Sequence, residues 1–78
     1  MVMYRDFAMR KARTLGLVGS VKNLQDGSVL VVVEGDEQQL KGYIEKLERG
    51  SLLSHVEHVE VVWQDVRGEF SKFTILYR

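Results

Sequence analysis

The sequence predicts a two-layer α+β domain, an antiparallel sheet with two helices on one face. Three observations carry this: two stretches with apolar residues at helical spacing, a β-branched run flanking Asp26-Gly27, and two alternating segments near the end. At 78 residues the chain forms one domain, residues 1–78, with a modest core.

Residues 3–15 read as the first helix. Tyr4, Phe7, Ala8, Ala12 and Leu15 recur three and four apart, and Arg5, Arg10, Lys11 and Arg13 take the other faces. Gly16 suits a left-handed C-cap. Asp6 is placed in the first turn, and no side chain caps the start. Free N–H groups there make a natural anion site. Residues 17–25 read as a strand, Asp26-Gly27 as a hairpin turn, and residues 28–34 as a second strand with Val29, Val31 and Val33 on one face.

Gly35-Asp36 breaks that strand. Asp36 caps the second helix, and Gln39 is placed to close a capping box. Residues 37–49 carry Leu40, Ile44 and Leu47 on one stripe bordered by Tyr43, and Gly50 ends the helix. After a loop at 51–55, residues 56–64 alternate, with Val59, Val61 and Trp63 facing one way. Gly68 marks a turn. Residues 70–78 alternate again, with Phe73, Ile75 and Tyr77 together, so Trp63 and Tyr77 are assigned to the core. The order is α-β-β-α-β-β. A strand ahead of the first helix would complete the βαββαβ ferredoxin-like pattern.

Composition narrows the function. Eleven basic and eleven acidic residues cancel, so no overall field draws in nucleic acid or an acidic membrane. The early basic cluster, Arg5 to Lys22, reads as a solvated face. No cysteine is present, which fits a reducing cytoplasm, and no apolar run is long enough to span a bilayer. His55 and His58 fall on opposite faces of an extended segment, so no shared metal is expected, nor any cofactor. Ser20, Ser28, Ser51, Ser54 and Ser71 lack an adjacent His–Asp arrangement, so a serine nucleophile is unsupported.

Several segments together resemble the acylphosphatases. They are Val2-Met3-Tyr4-Arg5, Ala12 with Leu15-Gly16-Leu17, Gly19-Ser20-Val21-Lys22-Asn23, Asp26-Gly27-Ser28-Val29, Glu34-Gly35, Val56-Glu57-His58-Val59 and Phe70-Ser71-Lys72-Phe73. They run in family order from residue 2 onward. The resemblance implies a ferredoxin-like sandwich that hydrolyses an acyl phosphate to carboxylate and phosphate, with no metal and no covalent intermediate. It assigns catalysis to Arg5, which holds the phosphate, and to Asn23, which orients the attacking water. Val2, Met3, Tyr4 and Arg5 form the remaining phosphate cradle. A guanidinium offers a bidentate fork to phosphate oxygens, and an amide holds a water as donor and acceptor.

The chain departs from that pattern at its start. The family's glycine-containing loop survives only as Val2, and the strand before it, central in the family's sheet, is absent. Neighbouring strands then carry unpaired backbone, which is costly unless met elsewhere. A homodimer or higher homo-oligomer completing the sheet through its edges is the expected remedy; Leu30, Val32, Val62 and Leu76, placed on the sheet face away from the helices, read as scattered surface hydrophobics or as a self-association face. Weakened hydrolysis follows, and an inactive, self-associating protein of the same fold is the alternative. A fragment of a hydrogenase-maturation carbamoyl transferase, which uses such a domain, is disfavoured by the lack of zinc-finger-like cysteines.

Overall fold

The computed structural model describes residues 2–51, 56–65 and 67–77. Helix α1 spans Val2–Thr14, strand β1 Val18–Asn23, strand β2 Val29–Glu34, helix α2 Glu37–Arg49 and strand β3 Phe73–Ile75. The loop expected at 51–55 falls largely outside the described residues.

The apolar stripe of α1 buries Tyr4, Phe7, Ala8 and Ala12. They join Leu17 and Val21 from β1, Tyr43 and Leu47 from α2, and Phe73 from β3 in one core. Fully burying one such side chain stabilises a fold by about 1.5–3 kcal/mol. Both helices share this core, so both lie on the same face of the sheet. Two tyrosine hydroxyls tie the layer together. Tyr43 Oη donates to the Ala8 carbonyl at 2.8 Å, and Tyr4 Oη to the Leu47 carbonyl at 2.8 Å. Burial raises both phenols above their ordinary value, and for Tyr43 the nearby Tyr4 adds to it.

The C-terminal end of α1 is closed. Gly16 takes φ 72°, and the Leu17 N–H donates back to Ala12 at 2.9 Å while the Gly16 N–H donates to Arg13 at 3.1 Å. That is a Schellman motif. The Asp36 carboxylate accepts from the Gln39 N–H at 2.8 Å, as expected of an N-cap. The capping box does not close. Gln39 Nε2 instead donates to the Leu15 carbonyl at 3.2 Å, one of the carbonyls left over where α1 ends.

The sheet runs β2-β1-β3. β1 and β2 form the expected antiparallel hairpin, with Val21 opposite Val31 and Asn23 opposite Val29. At its turn Asp26 Oδ1 accepts from both the Ser28 N–H and hydroxyl. β3 adds parallel to β1, with Gly19 opposite Phe73 and Val21 opposite Ile75, so the sheet is mixed rather than purely antiparallel. Gly19 is required here. Its φ is 150°, and a Cβ would collide with the backbone of Val32 and come within 2.8 Å of Val33 Cα.

Two expectations are corrected. Residues 56–64 form no strand, and the last strand is limited to Phe73–Ile75. Alternation supplies a face, but a strand also needs partner backbone, and none pairs with residues 56–65 among the described residues. Trp63 is accordingly 55% exposed instead of buried, and Tyr77 is 78% exposed. The outer edge of β2 likewise has no partner strand among the described residues. Leu30, Val32, Val62 and Leu76 are all exposed, but Val62 lies in no strand and so is not on the sheet face. No helix among the described residues is long and apolar enough to cross a membrane.

Candidate active site

Three element ends meet on the helix side of the sheet. β1 alternates, so Asn23 faces the same way as buried Val21, toward the helices. β3 runs parallel to β1, and the Leu76 N–H extends the ladder by donating to the Val21 carbonyl at 2.8 Å. Tyr77, next along, therefore lies at the Asn23 end of β1. Its ring contacts Arg5, whose Cζ sits 5.1 Å from the ring centroid. The start of α1, the end of β1 and the tail beyond β3 thus share one end of the molecule.

Each expected site residue has a definite environment. Val2, Met3 and Tyr4 form the first turn of α1, where backbone N–H groups lack partners within the helix. Val2 and Met3 are exposed; the Tyr4 side chain is buried and committed to Leu47, so Tyr4 contributes backbone alone. Because α1 begins at Val2, Asp6 lies just past the first turn rather than in it. The Arg5 side chain is 13% exposed. Its Nε and Nη2 donate to Asp6 Oδ1 at 3.3 and 3.2 Å. Among the described residues this engages two of five guanidinium N–H groups, and the Nη1 edge stays unengaged.

Asn23 is half-buried at the end of β1. Its Oδ1 is buried and has no hydrogen-bond partner among the described residues. An unsatisfied buried carbonyl carries a penalty of about 1–3 kcal/mol, which a water or substrate group would relieve. This end of the molecule therefore combines a largely buried cation, the first turn of a helix and, among the described residues, an acceptor without a partner.

Two of these contacts leave no signal in the residue pattern. Asp6 is adjacent to Arg5 in sequence, and such neighbours do not face each other on a helix. The guanidinium reaches it by folding back. Alternation puts Tyr77 in the core with Phe73 and Ile75, but the residue lies beyond β3 and is exposed. At that end α1 presents Arg5, so the ring meets a cation instead of the core. His55, considered for a metal pair with His58, lies outside the described residues. The described residues contain no group of three metal-ligating side chains.

The acylphosphatase family model matches residues 1–75. The chain is 46% identical over 67 residues to the acylphosphatase of Thermus thermophilus, covering 86% of this chain and 76% of that one. It is 43% identical over 75 residues to the acylphosphatase of Methylococcus capsulatus, covering 96% and 82%. The crystal structure of the Bacillus subtilis acylphosphatase superposes with a TM-score of 0.89 at 34% identity, covering 97% of this chain and 84% of that one. HypF of T. kodakarensis superposes at 0.81 with 30% identity, over 96% of this chain and 10% of that protein. The two helices on one face of a mixed sheet make an α+β sandwich of the ferredoxin-like kind, and the chain belongs to the acylphosphatase family, a family of hydrolases.

Proposed function

We propose that this chain hydrolyses the carboxyl–phosphate bond of acyl phosphates at the α1 start, with Arg5 as phosphate clamp and Asn23 as the residue that orients water. The observation that carries this reading is the unpartnered Asn23 Oδ1, buried on the same face and at the same end as Arg5.

The phosphate binds through the free Arg5 edge and the N–H groups of Val2, Met3 and Tyr4. Asn23 Oδ1 accepts a hydrogen bond from a water, and so aims the water's lone pair at phosphorus. As the P–O bond to the acyl group breaks, the carboxylate leaves with its electron pair and the water oxygen bonds to phosphorus. The water's proton passes to a phosphate oxygen. Charge on the transferring group stays on oxygens already facing positive donors, which is what a loose phosphoryl-transfer transition state needs. The reading routes no step through a metal, so treatment with a chelator should leave turnover unchanged.

Benzoyl phosphate hydrolysis tests it. Arg5→Ala should raise KM and the inhibition constant for inorganic phosphate, and Asn23→Ala should lower kcat, each by about a hundredfold or more if the group acts at the transition state. An inactive parent that phosphate does not stabilise against heat sinks the reading.

A second reading is a protein of this fold that self-associates without turning over substrate. It is favoured by the open β2 edge and the exposed Leu30 and Val32 beside it. Its signature is an oligomeric solution mass together with inactivity; a monomeric mass removes it.

A further inference from the structure

We propose that Tyr77 is a positioning residue for Arg5, an aromatic surface that fixes the plane in which the guanidinium meets its anion. This inference rests on the reading of Arg5 as the phosphate clamp.

The placement of Tyr77 is built from several bonds. Arg13 Nε and Nη2 both donate to the Phe73 carbonyl, at 3.1 and 2.9 Å, which pins the start of β3 to the far end of α1. The Leu76 N–H donates to Val21 and holds the tail against β1. From Arg13 back to Arg5 the helix rises about 12 Å. From Phe73 to Tyr77 an extended chain covers about 13 Å. The two lengths match, so a tail fixed at Phe73 and Leu76 delivers Tyr77 to Arg5 and nowhere else along the helix. The observed 5.1 Å between Arg5 Cζ and the ring centroid is the result.

The two groups that hold Arg5 do so differently. Asp6 takes in-plane N–H donors, which an incoming phosphate also wants. Tyr77 takes the face and uses no donor. Its ring is itself 78% exposed, so its burial adds little to the core. What it offers is order in a long side chain before the anion arrives, which reduces the entropy lost on binding.

The test uses the full chain with Tyr77→Leu and Tyr77→Phe. Inorganic phosphate serves as the probe, read as a competitive inhibition constant against benzoyl phosphate, alongside KM, kcat and the melting midpoint. Tyr77→Leu should raise the phosphate constant and KM roughly two- to fivefold, with kcat and the midpoint moving less. Tyr77→Phe keeps the ring and should restore both constants to the parent values. Unchanged constants in Tyr77→Leu overturn the inference and leave the reading of Arg5 standing. Equal losses in Leu and Phe that track the melting midpoint also overturn it, since they mark a structural role. A parent that neither turns over benzoyl phosphate nor binds phosphate overturns the reading of Arg5 and this inference with it.

Discussion

The two ends of α1 are built from similar residues and treated in opposite ways. At the C-terminal end the loose groups are bonded. Gly16 and Leu17 return their N–H groups to the last turn, Gln39 covers the Leu15 carbonyl, and Thr14 Oγ1 donates to the Arg10 carbonyl at 2.9 Å. Arg13 spends both of its contacts on the Phe73 carbonyl. At the N-terminal end Arg5 turns two of its five N–H groups to Asp6 and, among the described residues, keeps its Nη1 edge unengaged. Both arginines reach the same β3 tail. One locks it to the helix, and the other lies against its Tyr77 ring. Capping stabilises the C-terminal end, and we propose that the N-terminal end serves the anion instead.

The sharpest way to break this comparison is to exchange the consequences of losing each arginine. Arg5→Ala should reduce kcat/KM for benzoyl phosphate by about a hundredfold or more, with little change in the urea midpoint, because its contacts are to one half-exposed carboxylate and one exposed ring. Arg13→Ala should do the reverse. It should remove about 1–2 kcal/mol of stability in urea unfolding, while activity per folded molecule falls far less than in Arg5→Ala.

Tyr43 ties the middle of α1 and sharpens the contrast through pH. Its hydroxyl is buried and its pKa raised, so the fold holds the neutral form. The stability it supports is whole below the ordinary phenol pKa of about 10 and is lost as pH rises through the higher folded-state value. The urea midpoint should therefore fall only in strongly alkaline solution. Tyr43→Phe should lower stability by about 1 kcal/mol at neutral pH and flatten part of that alkaline fall. The smallest effect is expected from Asp6→Asn. Weakening its hold on the Nε–Nη2 edge should tighten inorganic phosphate roughly two- to threefold, as suits a partly exposed pair.

Much of this was legible from residue spacing. The second helix, the hairpin at Asp26-Gly27 and the glycine stops come from local chemistry, which acts over a few residues. The segment at 56–64 was not legible, because its alternating valines specify a face but not a partner. Trp63 and Tyr77 were misplaced for a related reason: sharing a face with apolar residues does not bury a ring when the neighbouring element ends or turns cationic there. Arg5 and Asn23 were found through the family resemblance. Asp6 and the unpaired Asn23 oxygen needed coordinates, since a helix neighbour's folding back and an orphaned acceptor leave no mark in the pattern.

We propose that the two arginines divide binding from support. It is tested most directly by the inhibition constant of inorganic phosphate in Arg5→Ala and Arg13→Ala, compared side by side on folded protein. The expected result is phosphate inhibition lost in Arg5→Ala and kept within about threefold in Arg13→Ala, a residue bound to main chain rather than facing the anion. Equal weakening in both variants, or inhibition retained in Arg5→Ala, would contradict it.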